Sequence, residues 1–323
     1  MIYRLLKWIS GIALHWFYGE IPVTNRERVP TRGPLFIAVN HQNALVDSLI
    51  TGWVVPRRVT MTAKATLIAN PFIALLFRIL GVVPLRRVSD EQATRSGVAP
   101  DRSRNTAAFR EILSVMEREG AVLIFPEGKS HNEPGLEPLK SGLARLALSA
   151  RDEQSIKGVK ILPLGLVFED KATPGSRVGV HVGEAIDMDR WDGGDYAALT
   201  KEIFRRLREV SEYSAVPESE ARHIPTNGES PKRLLISIAA AWGRITHRLP
   251  VRMARHVALR QSRYADQPAM LTIVLGTGLA LLTYGVCFVV VNVLIHSIWI
   301  SGLFVISLLL GAYWAAFENQ QQV

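Results

Sequence analysis

Short apolar runs alternate with segments of helical periodicity between residues 30 and 212. A short apolar run bounded by polar residues is typical of a buried strand, whereas apolar residues spaced three or four apart are typical of one helix face. The predicted strands cover 35–40, 58–61, 81–85, 121–125, 161–167 and 178–182, and the predicted helices cover 44–55, 70–80, 106–119, 140–150 and 196–209. This alternation predicts an α/β domain with a mixed sheet flanked by helices.

Two polar stretches that contain glycine and proline interrupt this pattern. Residues 88–104 predict a surface loop within the domain. Residues 211–232 contain Pro217, Pro225 and Pro231, and a polar stretch of this composition is typical of a linker. We therefore predict an α/β domain over residues 30–212 and a linker over 213–232.

The chain becomes strongly apolar near its end, because no Asp, Glu, Lys or Arg occurs from Gln267 to Phe317. A membrane-spanning helix needs roughly 20 apolar residues. The region 267–323 therefore predicts a transmembrane hairpin with spans at 270–294 and 298–317, and a tight turn between them. The alternative is a pair of buried helices in a soluble core, which the length of the run disfavours.

The segment before the hairpin, residues 233–266, is both basic and apolar. It contains several arginines, and no acidic residue occurs from Lys232 to Ala265. This composition predicts juxtamembrane helices, arranged as a pair, on an anionic membrane surface. Basic flanks face the cytoplasm, so we expect the α/β domain and both ends of the hairpin to lie on the cytoplasmic side of a membrane. The alternative is an ordinary solvated basic face.

Residues 1–29 are predicted to form an amphipathic segment at the membrane interface. Its apolar side would consist of Ile2, Leu5, Leu6, Ile9, Ile12, Ala13 and Trp16. A cleaved signal peptide is the alternative. That alternative is disfavoured because Lys7, Ser10 and His15 interrupt the apolar stretch and no small-x-small cleavage site precedes Glu20. We expect the segment to remain on the mature protein.

The net charge narrows the possible partners. A formal charge of +9 favours polyanions, which include nucleic acids, anionic lipids and phosphorylated substrates. Nucleic-acid binding is not expected, because the basic residues cluster next to the hairpin and no aromatic platform is interleaved with them. The single cysteine, Cys287, excludes an internal disulfide and a multi-cysteine metal site, and no metal site is predicted.

The first candidate for chemistry follows the strand at 35–40. Asn40 and His41 come at its C-terminal end, Asn43 is a possible N-cap, and Asp47 lies in the first turn of the next helix. A carboxylate at a helix N-terminus stays anionic and can fix the tautomer of an imidazole, whose other nitrogen then accepts a proton from a hydroxyl. A histidine and an aspartate at this spacing are also common as a purely structural pair.

Two further blocks place charged residues at strand ends. Residues 81–87, GVVPLRR, end in Arg86 and Arg87, and arginine suits planar recognition of a phosphate. Residues 123–131, LIFPEGKSH, set Glu127 beside a glycine turn, where its carboxylate can accept hydrogen bonds from a polyol. Lys129 in this block, and Lys140 beyond it, can meet a phosphate. Each block alone is also compatible with a solvated loop.

Together these blocks resemble the phospholipid and glycerol acyltransferases (PlsC-like) that share an H-x4-D signature. The match consists of Asn40-His41 with Asp47, residues 81–87, Phe125 to Gly128, and Ile161 to Gly165, in the order of the family. Two features depart from the usual pattern. Five residues separate His41 from Asp47 instead of four, and Lys129-Ser130-His131 replaces Thr-Arg-Ser. Both departures, the stretch 138–148 and the apolar hairpin resemble the fungal-type glycerol-3-phosphate and dihydroxyacetone-phosphate acyltransferases.

The resemblance implies direct acyl transfer. His41 would deprotonate the acceptor hydroxyl, Asp47 would orient His41, and the hydroxyl would attack a thioester carbonyl without an acyl-enzyme. No cofactor is implied. The donor would be acyl-CoA or acyl carrier protein, and the acceptor would be glycerol 3-phosphate or dihydroxyacetone phosphate. An alternative acceptor is 1-acylglycerol-3-phosphate or another lysophospholipid, and a more distant alternative is a non-catalytic lipid-binding protein on the same fold.

The resemblance also implies a phosphate site. Arg87, Glu127 and Gly128 would bind the glycerol phosphate, and Lys129 would replace the arginine that the third block lacks. Lys64 matches an Ala-Lys between the first two blocks of the family and is a candidate contact for phosphate or donor.

Overall fold

A computed structural model describes residues 2–66, 74, 77–78, 80–85, 105–131, 133, 135–212, 231–262 and 267–321, with 231–233 and 318–321 described by their backbone. The strands are β1 Val23–Thr24, β2 Leu35–Val39, β3 Val59–Thr60, β4 Thr62–Lys64, β5 Val83–Leu85, β6 Ala121–Ile124, β7 Lys160–Phe168, β8 Val178–Val182 and β9 Ile186–Asp187. The helices are α1 Ile2–Phe17, α2 Ala44–Val54, α3 Thr106–Glu117, α4 Gly142–Leu148, α5 Tyr196–Ser211, α6 Pro231–Gln261, α7 Pro268–Ile295 and α8 Ile298–Gln321.

The described strands confirm the predicted mixed α/β sheet. A seven-stranded sheet has the order β1-β8-β7-β2-β6-β3, with β9 also paired to β7, and β4 and β5 form a separate parallel pair. β2 is parallel to both β6 and β7, whereas β8 and β9 run antiparallel to β7. The sequence pattern did not predict β1, β4 and β9, because strands of two or three residues are too short to show a period. The predicted helix 70–80 and loop 88–104 lie largely outside the described residues.

The central strand β2 is apolar throughout because both faces of the sheet are covered. Leu35, Ile37 and Val39 pack on one face with α2 and the end of α1. Phe36 and Ala38 pack on the other face with α3, α4 and α5. Successive side chains of a strand point to opposite faces, so one pentapeptide connects both halves of the core. Because β2 is buried on both faces, the position at which the chain leaves the sheet, after Val39, is fixed.

The N-terminal segment is more integrated than the predicted interfacial helix. α1 is helical and amphipathic, with Ile2 and Leu5 exposed, but Leu14 belongs to the buried core of the α/β domain. The indole of Trp16 donates a hydrogen bond of 3.0 Å to the carbonyl of Ala312 in α8. Residues 2–29 therefore join the sheet to the C-terminal helices, and their strand β1 extends the sheet edge beside β8.

The C-terminal region contains the predicted hairpin, and α7 and α8 are long and apolar enough to cross a membrane. Residue 296, between them, has a φ of 55°, which ends α7 in a left-handed conformation. In the most apolar stretch of α7 none of the residues is buried, and in that of α8 28% are. Helices in a soluble core bury such stretches, so this exposure favours the membrane interpretation.

The basic segment is a single helix, α6, and the predicted pair of helices was wrong. Pro250 lies inside it without ending it. Small or buried residues recur at helical spacing along the face of α6 toward the hairpin: Ala240, Gly243, His247, Pro250, Ala254 and Ala258. Packing along this whole face stabilises a continuous helix, which offsets the local cost of the proline.

The tightest approach between α6 and α8 predicts a sensitivity to side-chain size. A Cβ added at Gly243 would lie 2.0 Å from the carbonyl oxygen of Gly311, and such overlap forces the helices apart. We expect Gly243→Ala to destabilise the protein by about 1–3 kcal/mol, measured as a lower Tm in detergent. Gly285→Ala is the matched control, because an added Cβ there meets nothing within 4 Å. An equal Tm for the two variants would contradict the close packing.

Candidate active site

The register of two parallel strands brings His41 and Glu127 together. Ala38 of β2 pairs with Ile124 of β6, and both candidate residues lie three positions further along their chains. The backbone N–H of His41 donates a hydrogen bond of 2.7 Å to Oε1 of Glu127. The first and third sequence blocks therefore meet at the carboxyl ends of adjacent strands, where open α/β sheets place their sites.

His41 and Asp47 form a buried pair. Nδ1 of His41 lies 2.9 Å from Oδ2 of Asp47, with the two side chains 9% and 0% exposed. The same oxygen accepts a hydrogen bond of 2.8 Å from the backbone N–H of Asn43. His41 lies in the loop before α2, and Asp47 lies in the first turn of α2. The turn of the chain at the start of α2 brings the two side chains together across the five intervening residues. In a neutral imidazole that donates Nδ1–H to the carboxylate, Nε2 is the acceptor nitrogen.

The imidazole of His41 is packed against an aromatic ring on one face, and its Nε2 has no hydrogen-bond partner among the described residues. The ring of Phe125 stacks on it, with centroids 3.8 Å apart and an interplanar angle of 12°. Among the described residues, none forms a hydrogen bond with Nε2 of His41. This nitrogen is therefore available to accept a proton from a hydroxyl that enters the site.

Asn43 occupies the N-cap position of α2, but its side chain does not cap the helix. Its amide nitrogen instead donates to the hydroxyl of Tyr18, at 2.7 Å, and to the carbonyl of Lys171, at 3.2 Å. Burial, and secondarily the charge of Asp47, raise the pKa of Tyr18 well above its ordinary value, so the phenol stays neutral. The next residue, Ala44, has a φ of 44°, a costly conformation for a non-glycine residue, which these contacts hold in place.

Glu127 was predicted to bind a polyol, but its environment differs from that prediction. It is only 1% exposed, and both of its carboxylate oxygens accept hydrogen bonds from other residues of the chain. Oε1 accepts from the His41 backbone, as described above. Oε2 accepts a hydrogen bond of 2.9 Å from the backbone N–H of Glu137 and a short one from Nε2 of His131. This geometry makes Glu127 a brace for the loop that carries His41.

His131 is a buried site residue that the sequence analysis did not single out. Besides its contact with Glu127, its backbone N–H donates 3.1 Å to the carbonyl of His41, and its Nδ1 is buried without a hydrogen-bond partner among the described residues. Lys171 was also missed. Its Nζ donates to the carbonyls of Gln42 and His131, at 3.1 and 3.4 Å, so its positive charge lies beside both loops. No motif marks Lys171, which follows β7 and reaches the site only through the fold.

The remaining predicted residues have different positions. Gly128 has a φ of 80°, which favours glycine, and its N–H closes a turn onto the carbonyl of Phe125. Lys129 is 60% exposed and pairs with Glu137 at 3.1 Å. Lys140 is exposed, and its backbone N–H donates 2.7 Å to the carbonyl of Pro126.

The second block is described only in part. Lys64 ends β4 and is paired in register with Leu85 of β5, two residues before Arg87. Arg87 lies outside the described residues, so its predicted phosphate contact stays a prediction. Within the described ranges, no group of three or more His, Cys, Asp or Glu side chains is arranged to hold a metal ion.

The bracing role of Glu127 makes a kinetic prediction. Glu127→Gln keeps the size but cannot accept all three hydrogen bonds, so the His41 loop should shift and kcat should fall about tenfold to a hundredfold. The KM for the acceptor should change little. Glu133→Gln, an exposed change in the same loop, is the control. A raised KM with unchanged kcat would instead indicate direct contact of Glu127 with the acceptor.

The comparisons with known proteins agree with these blocks. An acyltransferase family profile matches residues 20–167. An uncharacterized acyltransferase of Schizosaccharomyces pombe is 23% identical over 64% of this chain and 41% of its own length. Glycerol-3-phosphate O-acyltransferase 2 of Saccharomyces cerevisiae is 28% identical over 52% of this chain and 22% of its own. A 1-acyl-sn-glycerol-3-phosphate acyltransferase of Borreliella burgdorferi is 26% identical over 57% of this chain and 66% of its own.

The chain spans less than half of the length of the yeast relatives it matches. Among solved structures, the 1-acyl-sn-glycerophosphate acyltransferase PlsC of Thermotoga maritima aligns with a TM-score of 0.49 and 19% identity, over 65% of this chain and 78% of its own. The family match includes His41, Asp47 and Glu127, the residues that the fold brings together. This chain is therefore similar to the acyltransferases over residues 20–167.

Proposed function

We propose that this protein transfers a fatty acyl group from a thioester to a hydroxyl of a glycerol-phosphate-type acceptor. The observation that carries the proposal is the His41–Asp47 pair, in which Nδ1 lies 2.9 Å from the carboxylate, while no described residue hydrogen-bonds Nε2. A general base in this state can take a proton from a hydroxyl. The match of residues 20–167 to the acyltransferase profile supports this reaction class.

The reaction runs in two steps at one face of the imidazole. Nε2 of His41 removes the proton of the acceptor hydroxyl as the oxygen attacks the thioester carbonyl carbon. The tetrahedral intermediate then collapses, the carbon–sulfur bond breaks, and the leaving thiolate takes the proton back from His41. Asp47 keeps the imidazole in the required tautomer and stabilises the transient imidazolium by its charge. Neither step forms a bond between the acyl group and the protein.

The acceptor we propose is glycerol 3-phosphate or dihydroxyacetone phosphate. The longer His41-to-Asp47 spacing and the sequence Lys129-Ser130-His131 support it, as does similarity to a yeast protein named for glycerol 3-phosphate. A second acceptor, 1-acylglycerol-3-phosphate, is favoured by the bacterial relatives that are named for it. The candidates for contact with the phosphate are Lys64, Lys129, Lys140 and Arg87. Lys171 is a further candidate, because its ammonium donates to carbonyls in both the loop of His41 and the loop of Glu127.

We further propose that α7 and α8 cross a membrane and that the α/β domain lies on its cytoplasmic side. The exposed apolar surface of the hairpin supports insertion, and the arginines of α6 beside it support the orientation. The acyl donor, acyl-CoA or acyl carrier protein, would be supplied from the cytoplasm. The acylated product would be formed close to the membrane that takes it up.

An acceptor panel tests this function. Protein purified in detergent is incubated with labelled acyl-CoA, or with acyl carrier protein carrying the same label, and with glycerol 3-phosphate, dihydroxyacetone phosphate or 1-acylglycerol-3-phosphate. We expect one of the first two acceptors to give the highest kcat/KM. A preference for 1-acylglycerol-3-phosphate would move the protein to the second candidate, and no transfer to any of the three would overturn the proposal.

A further inference from the structure

A concave site of about 450 Å³ lies between α1 and α6, away from the candidate active site. It is lined by Trp16, Arg244, Ile245, Arg248, Val251 and Arg252. The three arginines are four residues apart, so they form one row along the helix.

Arg248 and Arg252 bring positive charge to this site. The sequence contains no acidic residue from Lys232 to Ala265, none in α1, and none from Pro268 to Phe317. These stretches of the surrounding helices therefore add positive but no negative charge. Arginine recognises phosphate through paired N–H donors, so Arg248 and Arg252, one helical turn apart, suit such a ligand.

The surroundings of the row indicate a lipid rather than a soluble anion. α6 has three faces: small residues pack on the hairpin, the arginine row comes next, and large apolar side chains are exposed beyond it. Ile238, Ile245 and Leu249 on that third face are 57%, 71% and 67% exposed. A phosphate held by arginines beside an exposed apolar surface has the polarity of a phospholipid headgroup and its acyl chains.

Trp16 gives the site a fixed wall. Its indole nitrogen is bonded to the carbonyl of Ala312, and its ring lies 5.4 Å from that of His247 in α6. His247 is buried and bonds the hydroxyl of Tyr284 in α7 through Nε2, at 2.5 Å. The concavity is therefore built where α1, α6, α7 and α8 meet, and an occupant would contact the joint between the α/β domain and the hairpin.

We propose that this concavity, the α1–α6 site, binds the headgroup of an anionic phospholipid, with the phosphate on Arg248 and Arg252 and the acyl chains along the exposed apolar face of α6. The lipid would be a structural ligand and is distinct from the acceptor of acyl transfer. The proposal relies on the proposed membrane location, but its test needs no acyl donor, so its failure is separable from failure of the enzymatic function.

The test measures lipid binding to the full chain in detergent micelles by native mass spectrometry. Dioleoyl phosphatidylglycerol, dioleoyl phosphatidylcholine and inorganic phosphate are titrated separately. We expect phosphatidylglycerol to bind at least about tenfold more tightly than phosphatidylcholine, because only the former carries a net negative charge. Equal affinities, or displacement of phosphatidylglycerol by millimolar phosphate, would overturn the lipid assignment.

Variants locate the binding. Arg248→Gln should weaken phosphatidylglycerol binding about tenfold, the loss expected for one charge-assisted hydrogen bond. Arg260→Gln makes the same charge change on the same helix outside the cavity and should weaken binding less than twofold. Arg248→Lys, which keeps the charge, should fall between them and guards against misfolding. Equal losses for Arg248→Gln and Arg260→Gln would show that only the general charge of α6 attracts the lipid, and would contradict the site.

Discussion

Replacing His41 by glutamine is expected to lower kcat for acyl transfer by roughly 10²- to 10⁴-fold, the contribution of a positioned general base. Glutamine retains much of the volume and can still donate to Asp47, so the core around the site should be preserved. The measurement is initial rates with labelled acyl-CoA in detergent, beside the Tm of each protein.

The matched control for that change is His256→Gln, because His256 is an exposed histidine on α6. It should leave both kcat and Tm close to those of the unmodified protein. A His41→Gln protein that keeps more than a tenth of the rate at an unchanged Tm would exclude His41 as the base.

Replacing Asp47 by asparagine is the second change with a large expected effect, a loss of about 10²-fold in kcat. Oδ2 of Asp47 accepts from both Nδ1 of His41 and the backbone of Asn43. The amide can keep one oxygen in that position, but it removes the negative charge 2.9 Å from the imidazole that must become positive. The KM for the acceptor should stay within a few-fold, since Asp47 is completely buried.

The corresponding control for Asp47 is Asp170→Asn, at an exposed carboxylate whose hydrogen bonds all lie within its own loop. It should change kcat by less than twofold. A rise in KM with unchanged kcat for Asp47→Asn would indicate that Asp47 contacts the acceptor, contrary to its position behind His41.

The parts of the fold that the sequence predicted are those with a strong local signal. The run at β2 is apolar because both faces of the sheet are covered, and residues 267–317 of the hairpin carry no charged side chain except histidine. Both elements can therefore be predicted from local sequence alone. The helix pair expected before the hairpin was one helix with Pro250 inside it. The packing of α6 on α7 and α8, which stabilises the continuous helix, is not a local signal.

The site divides in the same way. His41 and Asp47 are six residues apart, and their contact follows from a strand end and a helix start. The contacts of Glu127 with His41 and of Lys171 with Gln42 join residues 86 and 129 positions apart, and they depend on strand register. The sequence therefore indicated that Glu127 lies at the candidate site, and predicted that it contacts the substrate. In the fold its carboxylate is buried and hydrogen-bonded to the loop of His41.

The fold also connects the candidate site with the C-terminal helices through residues 2–18. The hydroxyl of Tyr18, at the end of this segment, accepts a hydrogen bond from Asn43 in the loop after His41, and Trp16 donates one to α8. One short stretch thus contacts both the active-site loop and the apolar hairpin. This arrangement places the candidate base close to the element that we propose is embedded in lipid, where an acyl product would be released.

The most direct test of the proposed mechanism is a double-mutant cycle between His41 and Asp47, with kcat measured for His41→Gln, Asp47→Asn and the double variant under identical conditions. Residues that act as one unit are strongly non-additive, so the double variant should be no slower than His41→Gln alone. If the two losses instead multiply in the double variant, His41 and Asp47 act independently and the base-and-orienter mechanism is wrong.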